Sequence, residues 1–313
     1  METENKPSER NRKSCMERIT FCINTSCNER PYLELMLASL YNAIDTKLHE
    51  VIVFADSDNQ GSAEMVSNQR ELFPNLTVIK NNGTPIFNGP GINYMLSKAK
   101  TPVVASLQSD MVVGLNYDKA ILSHLTEGMI LSSTRIEPPL HALSDNAVTY
   151  VKNMGLSPEE FNYNDFINFS ESIKDPNKLT NHYFSPFCCY KKTWDAIGGH
   201  DVNFHKSRED SDLAIRCCLN KYRLVQCWDA IVYHFTCTSS RGIEWWKPEN
   251  QERDKIRREN DRIELARFEK KWGEFCHPTK YEDVEIFLQM NPSMLDKVVV
   301  KNPPIDETKL TIL

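Results

Sequence analysis

Between residues 18 and 113 short apolar runs alternate with polar turns at the spacing of a repeated strand and helix. Residues 18–24, RITFCIN, are rich in β-branched and aromatic side chains and predict a first strand. A polar loop over 25–30 follows, and Pro31 opens a helix in which Leu33, Leu37, Leu40 and Ile44 keep a helical period. Residues 50–55, EVIVFA, predict a second strand that runs into the polar turn 56–61; a helix over 62–72 and a short strand over 76–80 come next. The glycine-marked loop 81–91 leads into a helix over 92–99. The run 101–113, TPVVASLQSDMVV, reads as a buried strand that ends in Gln108, Ser109 and Asp110. This order predicts an α/β fold with a mostly parallel sheet covered on both faces, and polar loops gathered along one edge. A carboxylate delivered to that edge sits where open α/β sheets bind ligands, which makes Asp110 the first candidate for chemistry; the bland alternative is an Asp-containing turn.

Beyond residue 113 the pattern changes. A helix over 117–125 and a strand over 129–134 precede a polar and aromatic stretch, 137–182, that reads as an insertion or acceptor-side lid with one or two short helices. Residues 183–190 predict a strand, Gly198-Gly199 a bend, and Glu209, Asp210 and Asp212 an acidic cluster. Ser207 and Asp210 have capping-box spacing, with Leu213, Ala214, Cys217 and Cys218 on the buried face of the helix that follows. Capping explains one or two of these carboxylates and leaves the rest for function. Strands over 223–227 and 230–235 bring in His234, by default a partly buried histidine, and a metal or diphosphate contact if it lies near Asp110. Trp228, Trp245 and Trp246 are either sugar-stacking surfaces or core anchors, and Ile256, Ile263, Phe268, Trp272 and Phe275 suggest an amphipathic helix packed back on the main domain. The expected organisation is a flexible tail over 1–17, a main domain over 18–240 and a C-terminal extension over 241–313.

Composition narrows the function classes. With 313 residues and 40% apolar side chains the chain can bury a sizeable core, and a net charge of -6 argues against nucleic-acid binding by charge alone. No apolar run approaches a membrane span, and the first residues contain no apolar signal core, so a soluble protein without an integral membrane segment is expected. The 10 cysteines include adjacent pairs, Cys188-Cys189 and Cys217-Cys218, without zinc spacing, which fits reduced thiols and a cytoplasmic location.

Taken in order, these pieces resemble an inverting glycosyltransferase of family 2 with the GT-A fold, a Rossmann-like sheet with a C-terminal helical extension. Thr25-Ser26-Cys27-Asn28 stands where the family has P-T-x-N, and the loop that begins Phe54-Ala55-Asp56 where it has V-D-D-G-S. Ile92-Asn93 replaces R-N, Gln108-Ser109-Asp110 replaces the metal-binding D-x-D, and Gly198-Gly199-His200-Asp201 matches G-G-x-D. Glu209-Asp210-Ser211-Asp212-Leu213 gives E-D-x-D-L complete, His234 matches a late histidine of the fold, and Phe268 with Lys271-Trp272-Gly273 resembles F-x-x-K-W-G. The resemblance implies a nucleoside diphosphate sugar as donor, UDP by family habit, with contacts from Thr25, Asn28, Asp56, Asn93 and Ser109. It implies Mn2+ or Mg2+ held by Asp110 and His234, Asp210 as general base, and Glu209 orienting hydroxyls. The acceptor would be a glycan or another hydroxyl-bearing molecule, attacked in one displacement that inverts the anomeric carbon. The alternative is a catalytically silent GT-A-like domain used for binding or assembly. A dinucleotide-dependent oxidoreductase fits the early strand and helix order, but the first strand is not followed by G-x-G-x-x-G.

Overall fold

Strict alternation along the first strands decides the architecture. In β1 (Ile19–Thr25), Phe21 and Ile23 face one core while Cys22 faces another; in β2 (Glu50–Ala55), Val51 and Val53 take the first side and Ile52 and Phe54 the second. Strands buried on both faces need helices on both faces. On one side lie α1 (Arg30–Ala43), α2 (Ser62–Ser67) and α4 (Tyr117–His124), through residues such as Leu33, Leu40, Val66 and Ile121. On the other lie α3 (Asn88–Lys98), α6 (Lys191–Ile197) and α7 (Glu209–Leu219), through Ile92, Met95, Trp194 and Leu213. The computed structural model describes residues 17–140, 144–205, 207–236, 251–273, 292 and 297–313, apart from the side chains of residues 251, 253, 254 and 257. Trp245, Trp246 and Phe275 lie outside the described residues.

The sheet also contains β3 (Leu76–Asn81), β4 (Val103–Gln108), β5 (Met111–Val113), β6 (Met129–Glu137), β7 (Thr149–Val151), β8 (Asp175–Asn181), β9 (Phe187–Tyr190), β10 (Arg223–His234) and β11 (Leu310–Ile312). The path runs β11-β3-β2-β1-β4-β9-β6-β10-β5, with β7 beside β6 and β8 beside β10. The strands β3, β2, β1 and β4 are parallel, as are β6 and β10, whereas β9, β5, β8 and β11 pair antiparallel. The chain has the α/β architecture of the GT-A fold.

Several expected elements change at their ends. The helix expected over 62–72 stops at Ser67, because Asn68 to Glu71 offer no apolar side chain to bury. The two strands expected over 223–235 are one strand, β10, kinked by a register shift between Gln226 and Ile231. The insertion contributes one helix, α5 (Tyr163–Ile173), and two strands, β7 and β8, that join the sheet, so it is a part of the fold with its own aromatic core of Phe166, Tyr233 and Phe235. Glu17, expected in the mobile tail, accepts a hydrogen bond from the Tyr190 hydroxyl at 2.8 Å. The described cysteines are free thiols. Among the described residues no helix is long and apolar enough to cross a membrane.

Among the described residues, the C-terminal part is joined to the domain at several places, including Asn302, whose Nδ2 donates to the carbonyls of Gly198 and His200. β11 adds an antiparallel edge to β3. The end of α8 (Gln251–Trp272) enters the second layer, where Phe268 and Trp272 are buried with Phe204, Ile215 and Leu219. There Asp212, fully buried on α7, accepts from Arg216 Nε at 2.7 Å and Trp272 Nε1 at 2.9 Å, and pairs with Lys271 Nζ at 2.6 Å. Arg216 continues to the carbonyls of Ile197 at 2.8 Å and Gly199 at 2.5 Å, and Lys271 to Asp201 at 2.7 Å. Helix α7, the Gly-Gly bend and α8 are thus one hydrogen-bonded unit. Removing one partner of a buried charge network leaves the others uncompensated. Asp212→Ala should therefore cost about 3–5 kcal/mol in urea unfolding; a loss below about 1 kcal/mol would show that the network does not anchor the helices.

Candidate active site

The loops that follow β1, β2, β4, β6 and β10 meet at one edge of the sheet, and Glu29 ties the first of them down. Its Oε2 accepts from Ser109 Oγ at 2.6 Å, from the Ser26 backbone N–H at 2.8 Å and, weakly, from Thr25 Oγ1 at 3.5 Å. Glu29 was not among the residues singled out by sequence; its position one turn into the polar loop is the only hint. The N–H of Ser109 donates to the Asn24 carbonyl at 3.1 Å, so the Gln108-Ser109-Asp110 segment turns sharply off β4 before β5 begins. The N–H of Phe235 then donates to the Asp110 carbonyl at 3.0 Å. This bond brings the end of β10, and His234 with it, beside Asp110.

His234 Nε2 lies 3.7 Å from Asp110 Oδ2, and its Nδ1 donates to Glu137 Oε1 at 3.0 Å. That bond fixes the tautomer with the proton on Nδ1 and leaves the Nε2 lone pair facing Asp110. Glu137 shares its carboxylate with Arg135 Nη1 at 3.2 Å, and the guanidinium is stacked 4.0 Å from the centre of the Phe184 ring. Neither Arg135 nor Glu137 was singled out by sequence, although an R-x-E pair at a strand end must point to one face.

Whether a divalent cation suits the site can be judged from its donors. Among the described residues no group of three or more His, Cys, Asp or Glu side chains gathers to hold an ion. A carboxylate and an imidazole nitrogen 3.7 Å apart fit the open kind of site, in which substrate oxygens and water complete the shell. The Glu137 carboxylate behind His234 is the outer partner such a ligand ordinarily has.

The acidic cluster stands in the first turn of α7. The capping box expected from Ser207 and Asp210 does not form: the residue before α7 is Arg208, held at φ 70°, and no side chain caps the helix. Asp210 instead accepts from the Tyr183 hydroxyl at 3.4 Å. Burial raises its pKa, with Arg135 and Tyr183 pulling the other way. Glu209 is pushed further, up to about 8, first by burial and then by the charge of Asp210. Both keep an opening to solvent while sitting deep among protein atoms. Asp212, the third acid of the motif, faces away and belongs to the α7–α8 anchor.

The side chains expected on the donor are each engaged by other residues of the protein. Asn93 gives both ends of its amide to His200, Nδ2 to the carbonyl and Oδ1 to the N–H, each at 2.8 Å. A Cβ on Gly199 would stand 2.3 Å from that Oδ1, and Gly199 sits at φ 72°, so space and backbone both require glycine. Asn93 is therefore a clamp on the Gly-Gly bend. Asn28 exchanges bonds with Asn59, at 2.9 Å and 3.0 Å. Asp56 accepts from Asn81 at 2.7 Å, Ile86 N–H at 3.1 Å and Phe87 N–H at 2.9 Å, leaving about one lone pair for anything else. The hydroxyls of Thr25 and Ser109 are on Glu29, as above.

With this geometry in place, comparison with known proteins is informative. Residues 22–138 match the model of the family described as glycosyl transferase family 2. The family segment takes in Asp110, Arg135 and Glu137, while Glu209, Asp210 and His234 lie beyond it. Among solved structures, the mannosyltransferase PcManGT from Pyrobaculum calidifontis, in complex with GDP-Man and Mn2+, is similar at a TM-score of 0.55 and 18% identity, over 91% of this chain and 74% of that one. Residues 1–349 of S. aureus TarS, in complex with UDP, are similar at 0.51 and 18%, over 90% and 83%. At that identity both show the shared fold. A search of curated proteins finds no match.

The Glu209 carboxyl sets a pH dependence of stability. Its pKa is raised in the fold, so between the ordinary carboxyl range and about 8 the folded chain holds more protons than the unfolded one. Stability contributed by this group is full below that window and is lost as pH rises through it. Glu209→Gln should be close to the parent in thermal unfolding at about pH 5 and more stable at about pH 9. Parallel curves for the two proteins over that range would contradict the raised carboxyl.

Proposed function

We propose that the chain is a metal-assisted inverting glycosyltransferase that moves a sugar from a nucleoside diphosphate, UDP by preference, to a hydroxyl acceptor in the cytoplasm. The observation that carries the reading is the convergence of Asp110, His234 and Glu137 at one end of the sheet, with Arg135 bonded to Glu137 beside them. Asp110 and His234 would hold the cation, which when bound offsets the charge of the departing diphosphate. The chain's own residues do the rest. The acceptor hydroxyl attacks the anomeric carbon as the bond to the diphosphate oxygen breaks, and its proton passes to a carboxylate on the opposite face. Of the two neighbouring acids, Glu209 holds its proton near neutrality, so Asp210 is the one that accepts it. Protonated Glu209 is then a hydrogen-bond donor for a sugar or acceptor oxygen.

A second reading, a silent GT-A domain that binds without turning over, is favoured by Gln108 in the place of an acid and by the internal engagement of Asn93 and Asp56. TarS was solved with UDP and PcManGT with GDP-Man and Mn2+, so both bases belong in the test. UDP-sugars with Mn2+ should raise the melting temperature, and GDP should compete weakly. Stabilisation by GDP alone would change the donor, and no shift with any nucleotide would favour the silent domain. With a responsive donor, Asp210→Asn should lower transfer by about 10²-fold with donor affinity unchanged, whereas Asp110→Asn should weaken Mn2+-dependent donor binding as well. Near-normal transfer by Asp210→Asn would remove it as the base.

A further inference from the structure

Glu29 is a buried carboxylate at the candidate site that the proposed reaction leaves without a task. It stands at the start of α1, where its carbonyl accepts the Leu33 N–H at 2.9 Å. Burying a carboxylate is costly unless hydrogen bonds replace the water it gives up. Here a single oxygen, Oε2, collects two close donors from two different loops, the Ser109 hydroxyl at 2.6 Å and the Ser26 N–H at 2.8 Å. Hydrogen bonds to a carboxylate are roughly twice as strong as those between neutral groups. Ser109 is then held twice, by its hydroxyl on Glu29 and by its N–H on the Asn24 carbonyl at 3.1 Å. The next residue, Asp110, has its carbonyl bonded by the Phe235 N–H at 3.0 Å. The peptide between Ser109 and Asp110 is therefore pinned from β1 and α1 on one side and from the end of β10 on the other. These bonds set where the Asp110 carboxylate leaves the turn, 3.7 Å from His234 Nε2. Of them, only the Glu29–Ser109 bond joins two side chains, so it can be removed without touching the backbone pairing.

We propose that Glu29 is a positioning residue of the cation site: through the Ser109 hydroxyl it fixes the turn that presents Asp110 beside His234. This rests on the reading of Asp110 and His234 as the pair that holds a divalent ion. Glu29 acts through Ser109 and not as a ligand, since among the described residues no group of three acids, histidines or cysteines gathers around one point. The same oxygen takes the Ser26 N–H, so the loop after β1 and the turn after β4 are tied together at one atom. Without the Glu29–Ser109 bond a buried hydroxyl and a buried carboxylate each lose a partner, and the turn relaxes toward conformations in which Asp110 no longer faces His234. A site with two protein ligands then keeps one.

The test is Mn2+ affinity of the full chain, read from the paramagnetic resonance of free Mn2+ at saturating UDP, or GDP if that is the nucleotide that stabilises the protein. Affinity for the same nucleotide without metal is measured beside it by calorimetry. Ser109→Ala and Glu29→Ala should each weaken Mn2+ binding about tenfold, the scale for losing an outer partner of a metal ligand, with metal-free nucleotide affinity within about threefold of the parent. The double variant should lose no more than the weaker-binding single one, because both changes remove one bond. Glu29→Gln, which keeps an oxygen acceptor for the hydroxyl, should lose less than Glu29→Ala. If Glu29→Ala does not fold, Ser109→Ala alone and combined with Glu29→Gln still decides. Losses that multiply in the double variant would overturn the proposal, as would a fall in metal-free nucleotide affinity that accounts for the whole effect. Mn2+ binding by Ser109→Ala within about twofold of the parent would remove the positioning role alone and leave the cation site standing. A parent chain that takes up nucleotide but no Mn2+ would remove the Asp110–His234 cation site itself, and the role of Glu29 with it.

Discussion

A buried ion pair, Asp212 with Arg216, holds the second half of this molecule in register. Both side chains are closed off from water, and each charge is surrounded by further partners: Lys271 and Trp272 on the carboxylate, the carbonyls of Ile197 and Gly199 on the guanidinium. A pair of this kind adds little net stability over a well-packed apolar pair, but it admits few alternative geometries, since any shift strands a charge. Its value here is positional. The same four residues fix the first turn of α7, the Gly-Gly bend and the end of α8, and the first turn of α7 is where Glu209 and Asp210 project. The acids that face the substrate side are placed by the acid that does not.

The sheet was legible in the sequence because short apolar runs, buried on both faces, alternate with polar turns and helices from Ile19 to Gln108. Asp110, His234, Glu209 and Asp210 were legible as types, and the fold brings the first two together. What remained hidden had physical reasons. Residues 137–182 lack a sustained period because their strands are short edges, one of them exposed on nearly every residue, and their apolar side chains form a small aromatic cluster of their own. The capping-box spacing at Ser207 was misleading, since Arg208 in a left-handed conformation turns the chain and leaves Asp210 to face Tyr183. Glu29, Arg135 and Glu137 had no motif around them; their importance comes from partners 80, 99 and 97 positions away. Asn93, Asp56 and the Gly-Gly bend were visible in sequence, while the bonds of Asn93 to His200 and of Asp56 to the turn at Phe87 were not.

The site is acid-rich. Glu29, Asp110, Glu137, Glu209 and Asp210 outweigh Arg135 and His234, and the field extends to Tyr32, whose hydroxyl is pushed up to about 12 by burial and then by Glu159, Asp110, Glu29 and Glu160. A nucleoside diphosphate entering such a field meets repulsion unless positive charge comes with it. On the proposed function, a divalent cation held by Asp110 and His234 would reconcile the acids with an anionic donor, and the same acids would suit a neutral hydroxyl acceptor better than an anionic one.

The replacement of an acid by Gln108 can be weighed in these terms. A neutral amide removes one negative charge from the cation's surroundings and with it part of the attraction. Another carboxylate stands behind His234: Glu137 accepts a hydrogen bond from Nδ1 and is the outer partner that a ligating imidazole would need. Arg135 holds Glu137 in that orientation and offsets part of its charge, so the His234–Glu137 pair is tuned by the same guanidinium that faces Asp210. Arg135 on β6 thus has Glu137, Asp210 and Asp110 all acting on its charge, whereas Gln108 stands at the end of β4, two positions before Asp110.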